Sequence, residues 1–157
     1  MADKEWIAKQ MSKAISAEES LLETEKHHRE QMQTGEVAAV YDRLIKDDEK
    51  HLNTLKQIGE KYGTKGGGVM EAAGDVLAGV KSTAETVATS DPFQAVGQDL
   101  MMKSNALNYD IAWTRIFREV GDSESATLID EATAEDEEHE RIMRDTLTGI
   151  GIVEAVG

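Results

Sequence analysis

One proline, Pro92, is all that interrupts 157 residues. Proline removes a backbone donor and clashes with the preceding helical turn, so its rarity leaves the chain free to run in long helices. The stretches between glycines are built largely from Ala, Glu, Lys, Leu and Met, and runs of β-branched or aromatic residues are scarce. These are strong helix formers, and the chain reads as all-α. The length suits a single domain over 1–157, large enough to bury roughly two-thirds of its unfolded surface and to fold without staples.

Apolar residues recur at the helical period and divide the chain into elements. The first helix is expected over about 3–33. Its stripe is Ile7, Met11, Ala14, Ile15, Leu21, Leu22 and Met32, with Glu18, Glu25 and Arg29 on the same face. Gly35 suits the turn that follows. The second is expected over about 36–62, with Val37, Tyr41, Leu44, Ile45, Leu52, Leu55 and Tyr62 on one face and Asp48 and His51 in its middle. Gly63 and the run Gly66-Gly67-Gly68 close it. The short first turn makes these two helices an antiparallel hairpin.

A weaker amphipathic stretch containing Gly74 and Gly79 is expected as a crossover helix over about 69–88. Ser90-Asp91-Pro92 is a helix start, with a capping side chain and proline in the first turn. The third main helix, about 92–120, has two apolar faces. Leu100, Leu107 and Ile111 form one, and Met102, Ala106, Trp113, Ile116 and Val120 lie nearly opposite. One face belongs to the bundle; the other, Trp113 above all, predicts the crossover helix or a second subunit, and hence a homodimer. After Gly121-Asp122-Ser123 the last helix, about 123–148, stripes Ile129, Ala132, Met143, Leu147 and Ile150 together with Asp136 and His139. The tail from Gly149 to Gly157 is a short apolar extension.

Composition narrows the chemistry. The chain has no cysteine, which excludes a disulfide framework, a thiolate zinc site, an iron–sulfur cluster and a cysteine nucleophile. Any metal must sit on oxygen and imidazole. The formal charge of -14 repels phosphate and argues against nucleic-acid binding. The start of the chain carries no apolar signal region, and no apolar run approaches the ~18 residues of a membrane span, so a cytoplasmic protein with no membrane partner is expected. No serine–histidine–acid set or phosphate-binding glycine loop is in evidence, and Gly66-Gly67-Gly68 reads as a hinge.

The second and last helices each carry an acid and a histidine three apart, Asp48-Glu49-Lys50-His51 and Asp136-Glu137-Glu138-His139. That spacing puts a carboxylate and an imidazole on one helical face, within reach of a common ion. Glu18, Asp48, His51, Asp136 and His139 all fall on apolar stripes near mid-helix. A carboxylate turned into a bundle core has to be neutralised by a proton, a cation or a hydrogen-bonded partner. Carboxylate oxygen with imidazole suits iron or manganese, in a mono- or dinuclear site. A buried polar network without metal is the competing outcome. Glu25 and His28 form a third pair at the same spacing; Glu25 is expected to pair with Arg29, and His27 to face solvent.

With these residues in place, the chain resembles the ferritin-like superfamily, with rubrerythrin-like spacing and a layout similar to the YciE/YciF-type bacterial stress proteins. The resemblance covers most of the chain. It rests on Ser16-Ala17-Glu18-Glu19-Ser20-Leu21-Leu22, on the crossover segment and on Asn108-Tyr109-Asp110-Ile111-Ala112. It implies a four-helix bundle with a crossover helix, and metal ligands at Glu18, Asp48, His51, Asp136 and His139. Weaker candidates are Glu25, His28 and Asp110. Aspartate stands where the family has glutamate in both acid–histidine motifs. In the third main helix the matching position falls at Ser104, Leu107 or Asn108, and the nearest acid, Asp110, lies about 120° from the stripe expected to face inward. The implied role is non-haem iron binding with ferroxidase or peroxide-linked stress-defence activity on O2 or peroxide. Its alternative is a degenerate, metal-free helical module.

Overall fold

A computed structural model of the chain describes residues 3–32, 35–64 and 91–157. These form four helices, α1 (Lys4–Gln31), α2 (Glu36–Tyr62), α3 (Pro92–Glu119) and α4 (Ser123–Val156), and no strand among the described residues. The ends follow from local chemistry. Asp3, Asp91 and Asp122 each accept a backbone N–H of the first turn of α1, α3 and α4, and Pro92 follows Asp91. Gly63 closes α2 in the left-handed region, at φ 92°, where a Cβ would be strained.

Each helix packs on two others: α1 on α2 and α3, and α4 on α2 and α3. Every packed pair is antiparallel. Between α1 and α2, Arg29 meets Asp42, Lys26 meets Glu49 and Glu19 meets Lys56. Between α2 and α4, Arg43 meets Glu138 and Lys61 meets Asp122. Ser104 reaches Glu140 and Arg118 reaches Asp130 from α3 to α4, while α1 and α3 meet at Trp6–Trp113 and at His28–Asp99. It follows that α2 and α3 sit diagonally and run parallel, so α2 ends at the opposite end of the bundle from the start of α3. The crossover helix expected over 69–88 lies outside the described residues.

An apolar core fills the end where α1 begins. Ile7, Met11, Ile15, Leu55, Ile58, Phe117 and Ile129 are buried there. Trp113 stacks on Phe117 with centroids 5.3 Å apart, and Trp6 lies 6.1 Å from Trp113. Each large side chain buried this way contributes about 1.5–3 kcal/mol. Trp113 is thus inside the bundle, not on the second-subunit face expected of it. Tyr41, Leu44, Val96 and Met143 are buried towards the other end. The layer between these two apolar regions is polar.

Two sequence expectations change. The last helix does not stop near 148 but continues to Val156, with Gly151 so close to Phe93 that a Cβ there would lie 3.0 Å from the ring. The inward line of α3 runs through Val96, Asp99, Lys103, Leu107, Thr114 and Phe117. It crosses between the two expected apolar faces and leaves Ile111 and Val120 exposed. No described helix is long and apolar enough to cross a membrane.

Candidate metal centre

The polar layer is built from the acid–histidine spacing on α2 and α4. Asp48, His51, Asp136 and His139 are all buried, at 4 % exposure or less. The two helices serve each other reciprocally. Nε2 of His51 is bonded to Glu135 of α4 at 2.8 Å, and Nε2 of His139 is bonded to Asp47 of α2 at 2.9 Å. Both Nδ1 atoms turn inward. His51 Nδ1 lies 3.4 Å from Asp136 Oδ1, and His139 Nδ1 lies 3.5 Å from the same oxygen. Neither Nδ1 has a hydrogen-bond partner. With the Nε2 proton held by an outer carboxylate, either ring, once neutral, would present its Nδ1 lone pair to the interior. The repeated pair Asp47-Asp48 and Glu135-Asp136 thus places one acid outside and one inside each imidazole.

From α1, Glu18 and Glu25 enter the same layer. Glu25 is wholly buried with neither oxygen hydrogen-bonded, and Glu18 has one such oxygen. The expected pairing of Glu25 with Arg29 does not form, because Arg29 turns outward to bond Asp42 through Nε at 2.7 Å and Nη2 at 3.0 Å. From α3 comes Lys103, 1 % exposed. Its ammonium donates to both oxygens of Asp48, with Nζ–Oδ2 at 2.6 Å, and lies 3.2 Å from Asp136 Oδ1. Asp110 stands two turns further along the same inward line, half-buried, and is not rotated away as expected.

Charge is distributed unevenly through this layer. Burial, with Asp48 nearby, pushes the Glu18 carboxyl up to about 8. Burial likewise holds Glu25 well above the carboxylate range, against the opposing pull of Lys103. Asp110 rises to about 7 through burial and the Asp136 charge. Asp136 is the reverse case: burial would raise it, but His139, His51 and Lys103 together hold it below the ordinary range, so it stays ionised. His51 is lowered by burial and raised by Asp136, Glu135 and Asp48, for a net position of about 9. Lys103, despite its burial, is held charged by Glu25, Asp48, Asp136 and Glu18.

Two overlapping sets of three are placed so that their ligand atoms lie within 4.8 Å of one another: Glu18, Asp48 and His51, and Asp48, Asp136 and His139. All five residues expected at the centre therefore meet there, and Asp48 belongs to both sets. These buried groups can hold a metal ion. The donors are oxygen and imidazole, and the buried atoms Glu18 Oε1, His51 Nδ1 and His139 Nδ1, which make no hydrogen bond, supply the unmet coordination that a cation would satisfy. The weaker candidates fall outside both sets. His28 is buried and bonded through Nδ1 to Asp99 at 2.7 Å, and the buried Tyr41 hydroxyl donates to the same carboxylate. His27 is exposed, as expected.

Sequence reasoning passed over Asp47, Glu135, Asp99 and Lys103. The duplicated acid before each Asp-x-x-His was the signal for the first two. A lysine in line with Val96, Leu107 and Phe117 was the signal for the last. Fold and site together define an all-helical bundle with a buried acid–histidine centre. Comparisons with protein-family models, with curated proteins and with solved structures find no match to the chain.

Proposed function

We propose that the chain is a metal-binding bundle protein of the ferritin-like kind, taking iron or manganese on Glu18, Asp48, His51, Asp136 and His139. One observation carries the reading. Two buried imidazoles from different helices are clamped from outside by Asp47 and Glu135 and aim unpartnered Nδ1 atoms at shared carboxylates. This is how proteins orient histidine for a metal. Bound iron would supply one-electron chemistry towards O2 or peroxide, which is the basis for a ferroxidase or stress-defence role. The chain's own contribution is to hold the ligands, to exclude water with the apolar layers on either side, and to release protons from Glu18 and His51 as the ion enters.

A metal-free module is the second reading, and Lys103 favours it, because an ammonium already neutralises Asp48. Titration with ferrous iron or Mn(II), followed by metal analysis after desalting, separates the two. Saturable retention by the wild type that is lost in an Asp48→Ala, His139→Ala variant supports the metal site. Equal content in both removes it and leaves the module. Ferrous oxidation, followed by ferric absorbance, then tests the oxidase role. The homodimer proposal draws on the second apolar face expected of α3, of which Val120 is exposed. Light scattering on a size-exclusion column tests it against a chain mass of 17.2 kDa.

A further inference from the structure

We propose that the Lys103 ammonium is a resident cation of the centre, filling the place of a second metal ion, so that the site takes a single transition-metal ion beside it. The inference deepens the metal-site reading and rests on it for the ion that does bind. Lys103 comes from the one helix among the described residues that contributes nothing to either ligand set. Its Nζ occupies both oxygens of Asp48, the only residue the two sets share, and also lies 3.2 Å from Asp136. Two ions would need Asp48 to serve both sets at once, with the ammonium as a third cation on the same carboxylate, whereas one ion needs only a remaining lone pair of one Asp48 oxygen beside the other two members of its set.

The environment gives the ammonium no other place to be satisfied. Lys103 is 1 % exposed, so solvent does not compete for it, and the carboxylates within reach of its Nζ are Asp48 and Asp136. Meanwhile Glu18 Oε1 and both imidazole Nδ1 atoms have no hydrogen-bond partner. Each set thus keeps an imidazole donor for an ion that shares Asp48 with the ammonium, while two ions at once would crowd three cations onto that one carboxylate. Like charges this close in a dry interior repel strongly, which favours one metal cation with the lysine over two metal cations.

The experiment counts Mn(II) bound per chain by calorimetry and by the loss of free-ion paramagnetic resonance, in the wild type and in Lys103→Gln and Lys103→Met. The expected result is one ion in the wild type and two in the variants, with the first ion bound at least about tenfold more tightly once the like charge is gone, a change of about 1.4 kcal/mol. Two ions in the wild type overturn the inference while leaving the metal site intact. One ion in the wild type and one, no tighter, in folded variants does the same. No ion in the wild type but binding in the variants overturns the inference of one ion beside Lys103 and shows that the lysine excludes metal from the natural chain. No ion in any of them ends both. Circular dichroism confirms folding, and if neither variant folds, the wild-type count decides alone.

Discussion

Removing the outer carboxylate from His51 tests the centre most directly. In Glu135→Ala the ring loses its 2.8 Å Nε2 contact, and Lys50 loses its 2.7 Å partner. Nothing then selects the tautomer that turns the Nδ1 lone pair inward. Loss of such an orienting partner lowers metal affinity about 10–100-fold, or about 1.4–2.8 kcal/mol at ~1.4 kcal/mol per decade. The cost in stability is smaller. The Glu135 side chain is 36 % exposed, so its pairing with Lys50 contributes about 0–1 kcal/mol. The melting temperature of a chain this size shifts by about 2–4 °C per kcal/mol. Asp47→Ala makes the same test on His139, whose Nε2 contact is 2.9 Å. The two imidazoles belong to different ligand sets, so a single ion makes one variant weaken binding far more than the other and shows which set it occupies. Competition against a fluorescent chelator gives the affinities and calorimetry the melting temperatures. Asp42→Ala, which breaks only the surface pair with Arg29, serves as the control. Affinities within twofold of wild type in both Glu135→Ala and Asp47→Ala would refute the assignment of His51 and His139 as ligands.

The metal-free bundle is expected to lose stability as pH rises from about 5 to 9. Glu18 is raised from 4.5 to about 8 and His51 from 6.5 to about 9, so the folded state binds more protons than the unfolded chain throughout that window. Asp136, held low, is already ionised there and adds no slope. Saturating Mn(II) should reverse the trend in thermal melts, because the ion replaces those protons; identical slopes with and without metal would show that it binds elsewhere. Phe117→Ala, at a wholly buried ring stacked on Trp113, should cost about 3–5 kcal/mol in urea unfolding, and a loss below about 1 kcal/mol would contradict the packing described. Asp122→Ala removes the cap of α4 together with bonds from Lys61 and Tyr62; about 1–2 kcal/mol should be lost, and an unchanged melting temperature would argue against this cap.

Helix positions were legible because they depend on local chemistry. The second helix runs from Glu36 to Tyr62 as the apolar spacing predicts, and Asp91 with Pro92 begins the third. The end of the fourth was missed because Gly149 and Gly151 weaken a helix locally, while packing against Phe93 is not a local property. Glu18, Asp48, His51, Asp136 and His139 were readable as inward-facing because each lies among apolar residues at the helical period. The inward line of α3 was not readable, since Asp99, Lys103 and Asp110 carry no hydrophobic signal and made the true face look polar.

What the sequence by itself determined, then, is an all-α chain with acids and histidines on buried stripes, because side-chain direction along a helix follows from its 3.6-residue period. Only the tertiary structure decided which charge neutralises which. Asp47 and Glu135 orient the histidine of the opposite helix, and Lys103 crosses from α3 to Asp48 of α2. Those pairings depend on the angle and register at which separate helices meet, and the spacing of residues along one helix carries no information about either.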